Sequence, residues 1–422
     1  MKSLLNLIND GSLDKKLTYL YGSEKLAIAH ERCLEVINGF SLSFDYAPEN
    51  LFSAPGRTEL GGNHTDHQHG RVIAASVDID LLAAVSPTEN GVIRVQSKGY
   101  PLITVLLDEL TPKAKEKNGS AALIRGVAAR MAELGSKIGG FDAYIISDVP
   151  GGSGLSSSAA FEVLIGTIIN SLWGENKFNA VEIAQIGQYA ENVFFGKPCG
   201  LMDQTACSVG GVVAIDFADT KNPVVEQIDL DLTSKGYALC IIDSGADHAD
   251  LTDEYSAITN ELKAVCRCFG KEVLREIDES EFLLSLPEVR KAAGDRAAVR
   301  AFHIYFENKH AADEAQALRD NDFEKFLAIA RESGRSSAMY LQNVIPTGQT
   351  TYQELMFTIA FCENLLGGKG AVRVHGGGFA GTAQAFVPLG MLADFKAKVE
   401  NVLGVGSCHV VTVRPVGGFC LA

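Results

Sequence analysis

The chain has 422 residues, more than one ordinary domain, which sets an expectation of two packed domains, 1–220 and 221–422. Its 37 Lys plus Arg face 52 Asp plus Glu, a formal charge of −15 that disfavours nucleic acid or an anionic membrane as the main partner. No apolar run is long enough to cross a bilayer, the N-terminal apolar run is broken at Asn6 and Asn9, and no cleavage pattern follows, so a soluble, cytoplasmic protein is expected. The nine cysteines are an odd number, scattered, and only Cys266 and Cys268 lie close together, which reads as reduced thiols rather than a zinc site.

In chain order, "APGRTELGGNHTDHQHG" at 54–70 comes first, placing Arg57, His64 and Asp66 among glycines. Such polarity is costly for a plain core strand and suits a polar ligand. "RVIAASVDIDLLAAVSP" reads as strands, whereas "SAALIRGVAARMAELG" repeats Leu123, Val127, Met131 and Leu134 at helical spacing. A strand is expected at Ala143–Ile146, followed by "DVPGGSGLSSSAAFEV" and a helix from Ala159 onward.

Small residues opening a helix suit an anion, because unpaired backbone N–H groups and the positive end of the peptide dipoles meet there. A tight turn with a serine N-cap explains the same composition. No lysine follows these glycines and Ser157 stands three beyond Gly154, so neither a Walker loop nor a dinucleotide fingerprint fits. Without a loop lysine, phosphate charge falls to backbone dipoles and a metal, which predicts Mg²⁺.

Another helix is expected through "AVEIAQIGQYAENVFF", ending near Gly196 and Pro198. "GKPCGLMDQ" then sets Asp203 among apolar residues, where a carboxylate wants a partner, and Arg57 is the candidate. "GGVVAIDF" and "YALCIIDS" read as strands, a long helical stretch follows, and the chain closes as strand, turn, strand, helix, strand. This alternation points to an α/β or α+β fold.

Four motifs together, Pro-Gly-Arg with Gly-x-His-Thr-Asp, Pro-x-x-x-Gly-Leu-Ser-Ser-Ser-Ala, Pro-Cys-Gly-Leu-Met-Asp-Gln and Gly-Gly-Gly-Phe-x-Gly, resemble the galactokinases. These belong to the superfamily of galacto-, homoserine, mevalonate and phosphomevalonate (GHMP) kinases, and the likeness runs from about Phe52 to Val416. It implies an α+β, two-domain GHMP-kinase fold, with an N-terminal domain like domain 2 of ribosomal protein S5 and a ferredoxin-like C-terminal domain. It also implies ATP-dependent phosphorylation of galactose at the anomeric hydroxyl.

By the same resemblance, Gly151, Gly152, Ser153, Gly154, Leu155, Ser156, Ser157 and Ser158 wrap the ATP phosphates, and Ser158 with Glu191 holds Mg²⁺. Asp203 and Arg57 form the catalytic pair, Asp203 taking or orienting the hydroxyl proton. Asn63, His64, Asp66, Gly200 and Tyr255 fall at sugar-contacting positions. The partners expected are therefore a sugar and ATP, with no nucleic acid or membrane, and a monomer.

Several residues depart from the family pattern. Asn63 stands where galactokinases usually carry glutamate and Glu59 where asparagine is common; His67 replaces a tyrosine, Ile258 and Thr259 replace arginines, and His375 replaces a threonine. An amide at 63 removes a negative charge, which keeps a hexuronic acid such as galacturonate, an N-acetylhexosamine or arabinose open as the substrate. A non-catalytic sugar and ATP sensor is the alternative of another class, and the complete phosphate loop with Arg57, Asp203 and Glu191 argues against it. His67, His69 and Arg71 are expected at the surface.

Overall fold

The computed structural model describes residues 3–149, 154–246 and 251–422. Two sheets carry the architecture. The first contains β1 (Asn50–Gly61), β2 (Arg71–Thr88), β3 (Val92–Ser97), β4 (Ile103–Leu106), β5 (Gly140–Ser147), β6 (Val212–Asp216) and β7 (Val224–Ile228). The second is built from β8 (Tyr237–Asp243), β9 (Ala371–Val374), β10 (Thr382–Pro388) and β11 (Cys408–Val411), and β12 (Phe419–Cys420) returns to the edge of the first.

β2 is the spine of the first sheet. It pairs antiparallel with β1 along its length, with β6 at Arg71–Ala75 and with β5 at Leu81–Thr88. Helices cover the sheet and its residues are buried almost end to end, so "VIAASV" and "LLAAV" run nearly continuously apolar instead of alternating. β1 is buried throughout from Leu51, and its register shifts between Pro55 and Arg57 and again between Glu59 and Gly61. Such irregularities bend a strand and re-aim its side chains. Here they fall at Arg57 and at the start of the His64 loop.

The second sheet is wholly antiparallel, in the order β11-β8-β10-β9. Period two divides its side chains. Cys240 and Ile242 face a core with Leu355, Leu366, Phe395 and Val399 of helices Glu354–Leu366 and Leu392–Leu403. Leu239, Ile241 and Phe386 join the main core with Phe323, Phe326 and Leu327. The two sheets thus share one continuous apolar interior.

The chain passes between the sheets after Ile228, beyond the expected boundary at 220, because β7 pairs with β6. Its last residues also rejoin the first sheet, through a bridge from Val413 to Val77 and through β12 beside β1. Residues 1–220 and 221–422 are therefore not two separate sheet units. Among the described residues no helix is long and apolar enough to cross a membrane.

Candidate active site

Arg57 projects from the first irregularity of β1 and meets Asp203 in a two-pronged pair: Nε donates to Oδ1 at 2.8 Å and Nη2 to Oδ2 at 2.6 Å. This fork matches the carboxylate plane and fixes its orientation. Asp203 lies in the first turn of helix Met202–Val209, where the peptide dipoles favour a negative charge. The Ser156 hydroxyl also donates to Oδ2, and Arg57 Nη1 donates to the Gly154 carbonyl. Burial alone would raise the Asp203 pKa, but Arg57 and the Ser156 hydrogen bond outweigh it and hold the carboxyl below its ordinary value. Its side chain keeps 34 % exposure, so an ionised oxygen can meet a ligand.

The loop expected to bind phosphate packs on the same strand. Arg57 N donates to the Leu155 carbonyl at 3.0 Å, and a Cβ on Gly56 would lie 2.9 Å from that oxygen, so glycine lets the loop sit on β1. Gly154 has φ +71° and Ser156 +57°, the left-handed turn that opens helix Ser157–Leu172. Gly151, Gly152 and Ser153 lie outside the described residues.

Glu191 sits in a π-helical turn, Ala190–Phe195, that closes helix Ala180–Tyr189; the expected helix is thus present and changes pitch at Glu191. Ser158 Oγ donates to Glu191 Oε1 at 3.3 Å, and Gln204 Nε2 donates to both Glu191 and Glu162. A hydroxyl and a carboxylate oxygen side by side next to the phosphate loop are the hard donors Mg²⁺ prefers, so this pair fits that ion. Glu162, one turn beyond Ser158 and fully buried, has its pKa raised by burial and then by Glu191.

The loop after β1 carries the expected Asn63, His64 and Asp66. Three successive carbonyls of the glycine turn, at Gly376, Gly377 and Gly378, accept from Asn63 Nδ2 at 2.8 Å, His64 Nε2 at 3.0 Å and Tyr255 Oη at 2.9 Å. Because a carbonyl only accepts, His64 carries its proton on Nε2 and leaves Nδ1 as an acceptor. Burial lowers the His64 pKa to about 4, so the ring is neutral at neutral pH. Any Cβ on Gly200 would overlap Asp66 Oδ2, which brings the "PCGLMD" turn against the sugar loop only three residues before Asp203.

Asn63 differs from its expected place. It is 1 % exposed, its amide donates to Glu59 and Gly376, and its Oδ1 accepts from Asn343 at 2.9 Å. Its polar atoms are thus committed to the protein. The expected sugar contact at 63 is corrected to a buried strut at the start of that loop, since a buried amide is held by whatever satisfies both its ends.

Sequence reasoning missed the layer below. Glu59 pairs with Arg373 at 2.8 Å, and burial pushes its pKa up to about 7 against the pull of that arginine. His375 is buried between Thr58 and Thr382, and burial lowers its pKa to about 3. The signal was charged residues on an apolar helix face, His303, Glu307 and Glu314, but spacing alone cannot show what they meet. Of the histidine cluster, His67 is exposed while Arg71 pairs with Asp216 at 2.8 Å. Among the described residues no group of three or more His, Cys, Asp or Glu could hold a metal.

Fold and site together define a GHMP-type small-molecule kinase. Residues 122–211 match the GHMP kinases N terminal domain, and residues 38–87 match the galactokinase galactose-binding signature. Lactococcus lactis galactokinase, solved in complex with galactose, is similar over 92% of this chain and 99% of its own, with a TM-score of 0.76 and 25% identity. More distant likenesses share the fold: a D-glycero-D-manno-heptose 1-phosphate kinase from Bacteroides thetaiotaomicron (TM-score 0.58, 16% identity, 88% and 98% of the two chains) and the Methanococcus jannaschii mevalonate kinase (0.58, 14%, 87% and 98%). Within the GHMP kinases, the chain is thus similar to the galactokinases, in its residues 38–87 and in its fold.

Proposed function

We propose that the protein transfers the γ-phosphoryl group of ATP to the anomeric hydroxyl of galactose, giving galactose 1-phosphate and ADP. The observation that carries this reading is the position of the Arg57–Asp203 pair. It is tied to the phosphate loop through Gly154 and Ser156, and to the sugar loop through Gly200 and Asp66. The likeness to a galactokinase holding galactose supports the choice of sugar.

In this reaction the anomeric oxygen forms a bond to the γ-phosphorus while the bond from that phosphorus to the β–γ bridging oxygen breaks. Asp203, ionised and clamped, accepts or orients the hydroxyl proton, and Arg57 holds its carboxylate while adding positive charge beside the transferring group. The backbone at the start of helix Ser157–Leu172 takes phosphate oxygens. His64 and Asp66 orient the sugar, His64 accepting at Nδ1 and Asp66 from hydroxyls. Ser158 and Glu191 are the residues to hold Mg²⁺, which when bound neutralises phosphate charge. Gly151, Gly152, Ser153, Leu155 and Ser157 complete the nucleotide site and Tyr255 the sugar site in this reading.

The case for a hexuronic acid rested on Asn63 facing the sugar, and its amide faces Glu59 and Asn343 instead. ADP release from Mg-ATP is therefore expected to be fastest with galactose in a panel with glucose, galacturonate, glucuronate, N-acetylgalactosamine and arabinose. A uronic acid turned over faster than galactose overturns the substrate assignment and leaves the kinase chemistry.

A further inference from the structure

The start of the sugar loop is held by one buried carboxylate that does not reach the cleft. Glu307, on helix Asp295–Arg319, has no exposed side-chain surface, and its Oε1 accepts from the backbone N–H groups of Gly62 at 3.1 Å and Asn63 at 3.3 Å. Ser333, from the next helix, donates to the same oxygen. His310 Nδ1 lies 3.1 Å from Oε2, and Arg373 of β9 stands 3.8 Å from Oε1 while pairing with Glu59. One turn before Glu307, His303 donates through Nε2 to the Asn63 carbonyl at 2.9 Å and meets Ser336 through Nδ1. The backbone N–H and C=O of residue 63, in successive peptide units, are therefore both gripped by a single helix, immediately before His64.

This grip matters because His64 adopts φ +62°, a left-handed conformation that disfavours any residue but glycine and persists only where its surroundings impose it. An ionised carboxylate receiving two successive N–H groups is a strong, oriented anchor of the kind that imposes it. We infer that Glu307 is a positioning residue for sugar affinity: it holds the loop so that His64 and Asp66 meet the sugar, and takes no part in nucleotide binding or phosphoryl transfer. The inference rests on the sugar-kinase reading above.

Glu307→Gln preserves shape and removes the charge. With the sugar that the wild type turns over best, its KM is expected to rise about tenfold, the loss typical of a charge-assisted hydrogen bond. Direct sugar binding without nucleotide should weaken by the same factor, while kcat and the KM for ATP stay within about twofold. A general loss of structure does not produce that split. Unchanged sugar affinity, or a fall in kcat and ATP affinity along with it, overturns the inference. Should Glu307→Gln fail to fold, Ser333→Ala decides: a higher sugar KM at constant kcat supports the anchor, and an unchanged one refutes it. A wild type that prefers a sugar other than galactose refutes the substrate assignment alone, because the Glu307 comparison is then read with that sugar.

Discussion

Asp203 and His64 are held in single protonation states by opposite means. The guanidinium of Arg57 and the Ser156 hydroxyl outweigh burial to keep Asp203 ionised, whereas burial keeps His64 neutral. A carboxyl with a depressed pKa loses its charge only as pH falls through that depressed value, and an imidazole lowered to about 4 gains one only near there. The plot of kcat/KM for galactose against pH should therefore stay flat on its acid side from neutrality down to about 5. An acid limb centred near the ordinary imidazole value of 6.5 contradicts the half-buried, neutral His64. Arg57 and Asp203 were legible in the sequence because their motifs frame them. Asn63 was misread as a sugar contact because a sequence gives residue type at a position, and burial with Glu59 and Asn343 decides which way the amide turns.

At the scale of elements, the chemistry lies where regular structure is interrupted. β1 shifts register at Arg57, the helix preceding the "PCGLMD" turn changes to π geometry at Glu191, and the glycine turn between β9 and β10 lends two carbonyls to the loop after β1 and a third to Tyr255. β2, β5, β9, β10 and helix Ser120–Glu133 were readable from local apolar pattern, whereas the N-terminal helices over 4–44 and the strands β3, β4 and β7 were not read. These interruptions were not readable, because they arise from tertiary contacts that no local pattern encodes. Gly200 offers a test of one such contact. A methyl group there meets Asp66 Oδ2, so Gly200→Ala must displace that carboxylate. A rise of about tenfold or more in the galactose KM is expected, with the KM for ATP and the melting temperature little changed; initial rates and calorimetry check both. An unaltered galactose KM removes Asp66 from the sugar site.

Over the whole molecule, a second buried charge centre ties the chain termini to the sheet. Asp80, in the middle of β2, pairs with Arg32 of helix Leu26–Phe44 at 2.7 Å and with Arg414 near the C-terminus at 2.9 Å, and accepts from Tyr21 and Ser53. Arg32 also reaches Asp148, at the end of the strand that leads into the phosphate loop. The sequence hinted at none of this, because the partners come from separate elements, Arg414 from the far end of the chain, and the C-terminal return to β1 has no local signal. Removing one member of a buried ion pair leaves the other desolvated and unpaired. Asp80→Ala should cost about 3–5 kcal/mol by denaturant unfolding; a loss below about 1 kcal/mol, the scale of an exposed pair, contradicts this burial.

The proposed reaction is transfer to the anomeric oxygen, with Asp203 as the proposed proton acceptor or orienter. The most direct test is ³¹P nuclear magnetic resonance of the product formed from galactose and Mg-ATP, with the wild type and Asp203→Ala run side by side. We predict one phosphomonoester coupled to the anomeric proton for the wild type, and for the variant a rate lower by a factor of about 10²–10⁴ with galactose binding retained. Phosphate on another hydroxyl, or an undiminished rate in Asp203→Ala, contradicts the assignment.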